Sequence, residues 1–206
     1  MYLKEKYLKK DRKYIFDFIQ NHPFAVFVLN GKRLLATHIP ILTEGNAENF
    51  KLYSHIAHNN EQYPHLKTGT EALLIFQGPN AYVSASWYKE KDISTWDYSA
   101  VHVNVKLVIQ SEEELEASLK KLVARFEKGQ GKPLYYEDIP QEIITTHLPL
   151  IKGFWCEITN LQAIAKLHQA HGKEDIDSVI QHLGQQKNPM AVETSKNIKK
   201  EQDGNH

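Results

Sequence analysis

Along the chain, apolar and polar positions alternate in short runs more often than they recur at helical spacing. Residues 24–29 (FAVFVL) form a β-rich run followed by Asn30-Gly31, the strongest short hairpin signal between apolar runs. Residues 33–42 are the expected returning strand. Pro40 has no N–H to donate, so this strand belongs at an edge or is bulged there. EGNAEN reads as a polar turn, and residues 50–57 (FKLYSHIA) alternate as a third strand. Further strands are predicted over 71–78, 81–88, 99–110 and 153–159. In the longest of them Val101, Val103, Val105 and Leu107 share one face.

Helical spacing is confined to a few places. Ile15, Phe18 and Ile19 lie on one face of a helix over 12–20, with Asp11 as N-cap and His22-Pro23 as its end. Residues 111–129 carry the clearest helix. Ser111 and Glu114 are spaced as a capping box, Leu115, Leu119, Leu122 and Phe126 form the stripe, and Gly129 closes it. Shorter helices are expected over 140–148 and 174–184. From Gln185 to His206 the chain is polar, lysine-rich and without period, which reads as a mobile tail after a domain spanning 1–184. Strands joined by tight turns with few helices predict a mainly β, antiparallel sheet or barrel with flanking helices.

Composition narrows the function classes. Lys+Arg and Asp+Glu both number 25 in 206 residues, and no helix-turn-helix pattern is present. A direct DNA binder is therefore not supported. No apolar run approaches the length of a spanning helix, so no membrane partner is expected, and a cytoplasmic location is the default. The lone Cys156, on an apolar strand, excludes an internal disulfide and reads as a core residue. No phosphate-cradling glycine loop, Rossmann fingerprint, H-E-x-x-H or G-x-S-x-G occurs.

Two groups of residues carry candidate chemistry. His38, His55, His58 and His102 lie on or beside predicted strands. They are either ordinary polar histidines or members of one site, and no carboxylate nearby completes a metal-ligand set. Between 76 and 98, Tyr82, Trp87, Tyr88, Trp96 and Tyr98 cluster with Ser84, Ser86 and Thr95. Such a set suits a flat conjugated ligand, a subunit interface or a packed aromatic corner.

In this stretch FQGPNAYVSASWY and TWDYSAVHV resemble the FQGP-x-AYVSPSWY and TWNY-x-AVH signature of the PaiB family of FMN-binding negative transcriptional regulators. MYLKEKY, NHPFAVFV, ATHIPIL and SHIAHNNEQY are similar, in the same order, to that family's MY-x-P-x-x-F, HPFATLV, A-x-H-L-P-L and GH-x-AR-x-N-P-Q-W. The likeness runs from Met1 to about Gly184. It implies an antiparallel FMN-binding split β-barrel of the pyridoxamine phosphate oxidase type, working as a homodimer with flavin at the subunit interface. Ala36, Thr37, His38 and Ile39 would border the isoalloxazine ring. Tyr53, Ser54, His55, His58 and Asn59 would lie near the ribityl phosphate. Trp87, Tyr88, Trp96 and Tyr98 would come from the partner subunit, with Lys166 and Gln169 from the C-terminal motif. No catalytic residue is assigned. A flavin-dependent oxidoreductase using a reduced nicotinamide is the alternative activity; an apo barrel, or one binding haem through His38, His55 or His58, is a further one. The chain departs from the pattern in several places, among them a shorter loop between Trp87 and Trp96 and TWDY for TWNY. His58 stands where the family has Arg, and W-K-L-S-Q-N-R becomes Ala165-Lys166-Leu167-His168-Gln169-Ala170-His171.

Overall fold

A computed structural model describes Met1, Tyr2 and residues 4–204. Leu3, within the opening motif, and the last two residues of the expected tail lie outside the described residues. Among the described residues seven strands and five α-helices follow one another: α1 (Arg12–Asn21), β1 (Phe24–Asn30), β2 (Leu34–Pro40), β3 (Leu42–Gly45), β4 (Phe50–Ala57), β5 (Glu71–Val83), β6 (Thr95–Ile109), α2 (Glu112–Glu127), α3 (Gln141–His147), β7 (Ile151–Lys166), α4 (Lys173–Gly184) and α5 (Pro189–Gln202). The strands form one mostly antiparallel sheet in the order β2-β1-β5-β6-β7-β4-β3. This is the antiparallel sheet that the alternation predicted, in the split-barrel arrangement that the resemblance implied: the two edge strands, β2 and β3, are consecutive in the chain, and the sheet is not closed.

The chain divides into two compact units. The first in order of size comprises Ile19–Ile75 and Val103–Leu161. Here the expected strand over 33–42 breaks after Pro40. Ile41 is fully buried and donates its N–H to Pro23 O at 2.8 Å, leaving the ladder, and Leu42–Gly45 pairs with β4 as a separate strand where a turn was expected to begin. Phe27 and Phe154 stack at 5.3 Å, and Leu29, Leu35, Leu74, Val103, Val105 and Leu107 of the same unit are also buried. Cys156 is buried in the same strand face as Phe154, and burial pushes its thiol pKa up, as expected of a core residue. α2 begins with the predicted reciprocal cap. Glu114 N–H donates to Ser111 Oγ and the Glu114 carboxylate accepts from Ser111 N–H.

The other unit comprises Met1–Phe18, Phe76–His102 and the chain from Gln162. Its strand segments pack Ala81, Val83, Ala165 and Leu167 against Ile176, Val179 and Leu183 of α4 and Ala191 and Ile198 of α5. The sequence reading of 185–206 as a polar tail without period is corrected here: most of it is α5. Asn188 caps the helix by accepting from Met190 N–H, and Pro189 takes the first position, where a missing N–H costs nothing. The buried face is built from small residues and satisfied hydroxyls rather than large apolar ones. Thr194 Oγ1 donates to Met190 O and Ser195 Oγ to Ile180 O, each at 2.7 Å. That is why hydrophobic periodicity did not reveal it. Residues 81–88 are likewise not one strand. β5 runs unbroken to Val83, and Ser84 caps a short 3-10 turn at Ala85–Trp87. Among the described residues no helix is long and apolar enough to cross a membrane.

Candidate functional site

In the larger unit, β2 is an edge strand that pairs with β1 through Val26↔His38 and Val28↔Ala36. Strand alternation turns Leu35 and Ile39 inward and Leu34, Ala36 and His38 outward. The outer surface is apolar and open: Leu34 is 74% exposed and Phe24 66%, and Phe24 stacks on His38 at 5.7 Å. Thr37 and Ile39 thus face away from Ala36 and His38, and the four do not form one continuous wall.

The segment after β4 is fixed to this edge by two side chains that the sequence reading passed over. Gln62 is fully buried, and its Nε2 donates to Phe27 O and Leu35 O, both at 3.1 Å. Asn60 Nδ2 donates to Thr37 Oγ1 at 3.3 Å, while Asn60 Oδ1 accepts from Gln62 N–H. Both stand at the Asn and Gln of the N-P-Q pattern, which was the available signal.

On β4 itself the trio Tyr53, Ser54 and His55 is split by the pleat. Ser54 Oγ turns inward and donates to Pro40 O at 2.7 Å. Tyr53 lies on the opposite face, edge-on to Trp155 at 5.4 Å, and burial with Glu44 nearby raises its pKa to about 12. His55 is half-buried, and desolvation lowers its pKa. His58 and Asn59 are exposed at the end of the strand, beside a groove of about 430 Å³ next to α2 and α3. His58 Nδ1 lies 3.2 Å from Leu150 O, and since a carbonyl only accepts, Nδ1 is the donor there. Its ring meets Tyr63 edge-on, and Lys152 Nζ sits 4.1 Å over the Tyr63 ring. Lys152, opposite Ile56 in the β4–β7 register, brings a cation to the strand end that carries His58. A lysine inside the apolar run IKGFW was the signal for it.

In the other unit the aromatic segment separates into two parts. Trp87 stacks on His182 at 4.9 Å, its carbonyl accepts from Ser178 Oγ, and Tyr88 stacks on His171 at 5.2 Å. These two are a packed corner on α4. Trp96 is 52% exposed and meets Tyr82 edge-on, with Nε1 donating to Asn80 Oδ1 at 3.0 Å. Tyr98 packs partly buried beside Tyr7, Ala100 and Ile164.

The two residues taken from the C-terminal motif are held internally. Lys166 Nζ donates to Thr95 Oγ1, to Trp96 O at 2.7 Å and to Asp97 Oδ1 at 3.3 Å. Gln169 donates to Ala165 O and Glu201 and accepts from Leu167 N–H. Behind Lys166 lies a polar cluster absent from the sequence reading. His168 Nδ1 meets Asp97 Oδ2 at 2.6 Å, both side chains being buried, and the His168 ring stacks on His171 at 4.1 Å. His168 itself has φ +65, an uncommon conformation for a non-glycine residue. Among the described residues no group of three or more His, Cys, Asp or Glu side chains is placed to hold a metal ion.

The chain is 29% identical over 192 residues to the protease synthase and sporulation protein PAI 2 of Bacillus subtilis, covering 93% of each chain. It superposes on the FAD and heme binding protein from Mycobacterium smegmatis with a TM-score of 0.60 at 16% identity, over 83% of this chain and 79% of that one. It superposes equally well, TM-score 0.60 at 12% identity, on a flavocytochrome from Azotobacter vinelandii, over 85% of this chain and 78% of the other. At such identity these two structures show a shared fold. Residues 1–160 match the model of the family described as "Putative FMN-binding domain", and the chain belongs to that family.

Proposed function

We propose that this protein binds FMN as a homodimer, with the flavin held between two subunits. The observation that carries the reading is the open apolar face of an edge strand, at Leu34, Ala36 and His38, in a chain of this family. An edge strand offers backbone N–H and C=O groups toward one side, and a flat ring system needs such groups at its polar rim and an apolar surface beneath. In this reading Ala36, Thr37, His38 and Ile39 border the ring. Tyr53, Ser54, His55, His58 and Asn59 surround the ribityl chain and phosphate, with Tyr53 and Ser54 shaping the strand and His58 and Asn59 making contact. Trp96 and Tyr98 reach across from the second subunit. Trp87 and Tyr88 support them from the packed corner, and Lys166 and Gln169 hold that surface in place.

The donor set fits a phosphate dianion once Lys152 is included. A dianion requires a cation and several donors, and Lys152, His58 and Asn59 supply both kinds of group at one strand end. When bound, FMN would supply one- and two-electron redox chemistry; the residues described here bind and orient it. A regulatory role is part of the same reading, exerted through a partner rather than by direct DNA contact. The net charge of zero fits the absence of direct DNA contact.

The test is an absorbance spectrum of freshly purified protein, FMN titration followed by flavin fluorescence, and sedimentation velocity on the same sample. Saturable quenching of FMN by a species of twice the chain mass is expected. A monomer, or fluorescence that is unchanged at high FMN, overturns the proposal.

A further inference from the structure

We infer that His171 is an acid-operated latch: neutral, it closes a ring cluster with His168 and Tyr88 beside the loop 89–94, and protonated, it leaves the cluster for water and releases that loop. All of these residues belong to the unit that holds Phe76–His102 and the chain from Gln162. The His171 ring stacks on His168 at 4.1 Å and on Tyr88 at 5.2 Å, and Tyr88 lies 5.6 Å from His168, so the three rings form a triangle. Each carries one buried polar atom without a hydrogen-bond partner: Tyr88 Oη, His168 Nε2 and His171 Nδ1. Half of the six such atoms among the described residues meet here. An unpaired buried polar atom costs free energy, so this cluster is held by stacking and burial alone and is given up readily when either weakens. The backbone adds strain. His168 has φ +65, and His171 N–H donates to His168 O at 3.2 Å, which puts the two imidazoles on one tight turn.

His171 is the member open to a proton from solvent. His168 is buried and committed through Nδ1 to Asp97 Oδ2, whereas the His171 side chain is 24% exposed. The groups that face His171 are Tyr88, Asp92 of the loop, Asp97 of β6, Asp175 of α4 and His168 of its own turn, with Lys166 of β7 behind Asp97. Asp97 already serves His168 and Lys166, and Asp175 accepts from Lys89 N–H at 2.8 Å. Asp92 Oδ2 stands 3.7 Å from His171 Nε2, too far for a hydrogen bond. A proton on His171 therefore makes a cation inside the cluster whose Nδ1–H meets no acceptor. Burial, and then His168, lower its pKa against the pull of Asp92, Asp97 and Asp175, so the charged ring is better placed in water. Nε2 faces the exposed Asp92, and the ring leaves in that direction. Asp92 couples it to the loop. Its Oδ1 accepts from Ile93 N–H at 2.8 Å, while Lys89 N–H to Asp175 and Ala85 N–H to Ser94 Oγ, at 3.0 Å, tie the two ends. Movement of the ring past Asp92 displaces the residues between these ties.

The test is a nitroxide spin label on Ile93→Cys in the full chain. Ile93 is 81% exposed, and the native Cys156 is buried and takes up no label. As pH falls from about 8 to about 5, across the range in which histidines titrate, the spectrum should gain a mobile component while the far-UV circular dichroism stays constant. In His171→Gln, which cannot charge, the spectrum should be the same throughout that range. Asp92→Asn removes an attraction that favours the charged ring and should move the midpoint to lower pH. This change in an exposed loop decides the matter if His171→Gln does not fold. A parent spectrum that does not respond to pH, a mobile component that appears only as the circular dichroism is lost, or a transition unaltered in either variant would overturn the proposal.

Discussion

His168 and Asp97 form a buried pair, Nδ1 to Oδ2 at 2.6 Å, with Lys166 completing the surroundings of the carboxylate at 3.3 Å. Asp97 occupies the Asn of the TWNY pattern, and His168 occupies the Ser of the W-K-L-S-Q-N-R pattern. Two departures that lie 71 residues apart in the sequence therefore meet in space. Removing one partner of a buried polar pair leaves the other desolvated, which costs about 3–5 kcal/mol when the pair is ionic. His168→Ser and Asp97→Asn should each lower stability by about 2–4 kcal/mol on this scale. The double variant D97N/H168S, which restores both residues of the pattern, should be less destabilised than the sum of its single changes. Urea unfolding of the four proteins measures this, and strict additivity would show that the pair is not coupled.

Burial lowers the pKa of His55, and it is the leading cause of the same shift in His102 and His171. A base whose pKa is depressed by folding binds protons more readily in the unfolded chain. Its contribution is then fully present above the unfolded value, near 6.5, and is lost as pH falls toward the folded one. The urea midpoint should fall between about pH 7.5 and about pH 5.5, above the range in which most carboxylates titrate. His55→Gln should make that slope shallower. A midpoint that is flat or rises on acidification would contradict the burial of these rings.

Gly153 tests how tightly α2 is seated. A Cβ there would collide with the Gln110 side-chain oxygen and approach Leu115 Cδ1 to 2.8 Å. Gln110 is buried, donates from Nε2 to Ser118 Oγ at 2.8 Å, and binds Gly153 O through its own N–H. The conflict is with packed side chains and not with backbone conformation, so Gly153→Ala is an overpacking change costing about 1–3 kcal/mol. Thermal unfolding should show a drop of several degrees. Gly153→Ala combined with Leu115→Ala should recover part of it if Leu115 is the neighbour that has to move.

What was legible in the sequence followed the strength of its local signals. The alternation of Val101, Val103, Val105 and Leu107, the hairpin signalled by Asn30-Gly31 and the Ser111–Glu114 cap are each present, although Asn30 pairs with Leu34 and the turn itself runs over 31–33. α5 was missed because its buried face uses Ala191, Thr194, Ser195 and Ile198, a pattern that scores as polar although its hydroxyls are satisfied by backbone carbonyls. Of the candidate site, the resemblance pointed to segments, but not to which way each side chain turns. Ser54 and Tyr53 are adjacent in sequence and oppose each other across the pleat, while Asn60 and Gln62, not Asn59, tie the segment to β2. Such facts depend on register, which a single sequence specifies weakly at loop ends.

Lys152 is the sharpest test of the proposed flavin site. The family pattern has an Arg where His58 stands, and a histidine supplies a cation only while protonated. Lys152 lies on the neighbouring strand, over the ring of Tyr63, which itself touches His58. A lysine can take over the missing cation's part at a phosphate. A hydrogen bond to a charged group contributes about 1.5–3 kcal/mol, so Lys152→Ala should weaken FMN roughly tenfold or more. Riboflavin, which has no phosphate, should bind parent and variant alike. Lys152→Arg should retain most of the affinity. Equal weakening of FMN and riboflavin would mean that Lys152 acts on the fold of the strand end. Unchanged FMN affinity would place the phosphate elsewhere.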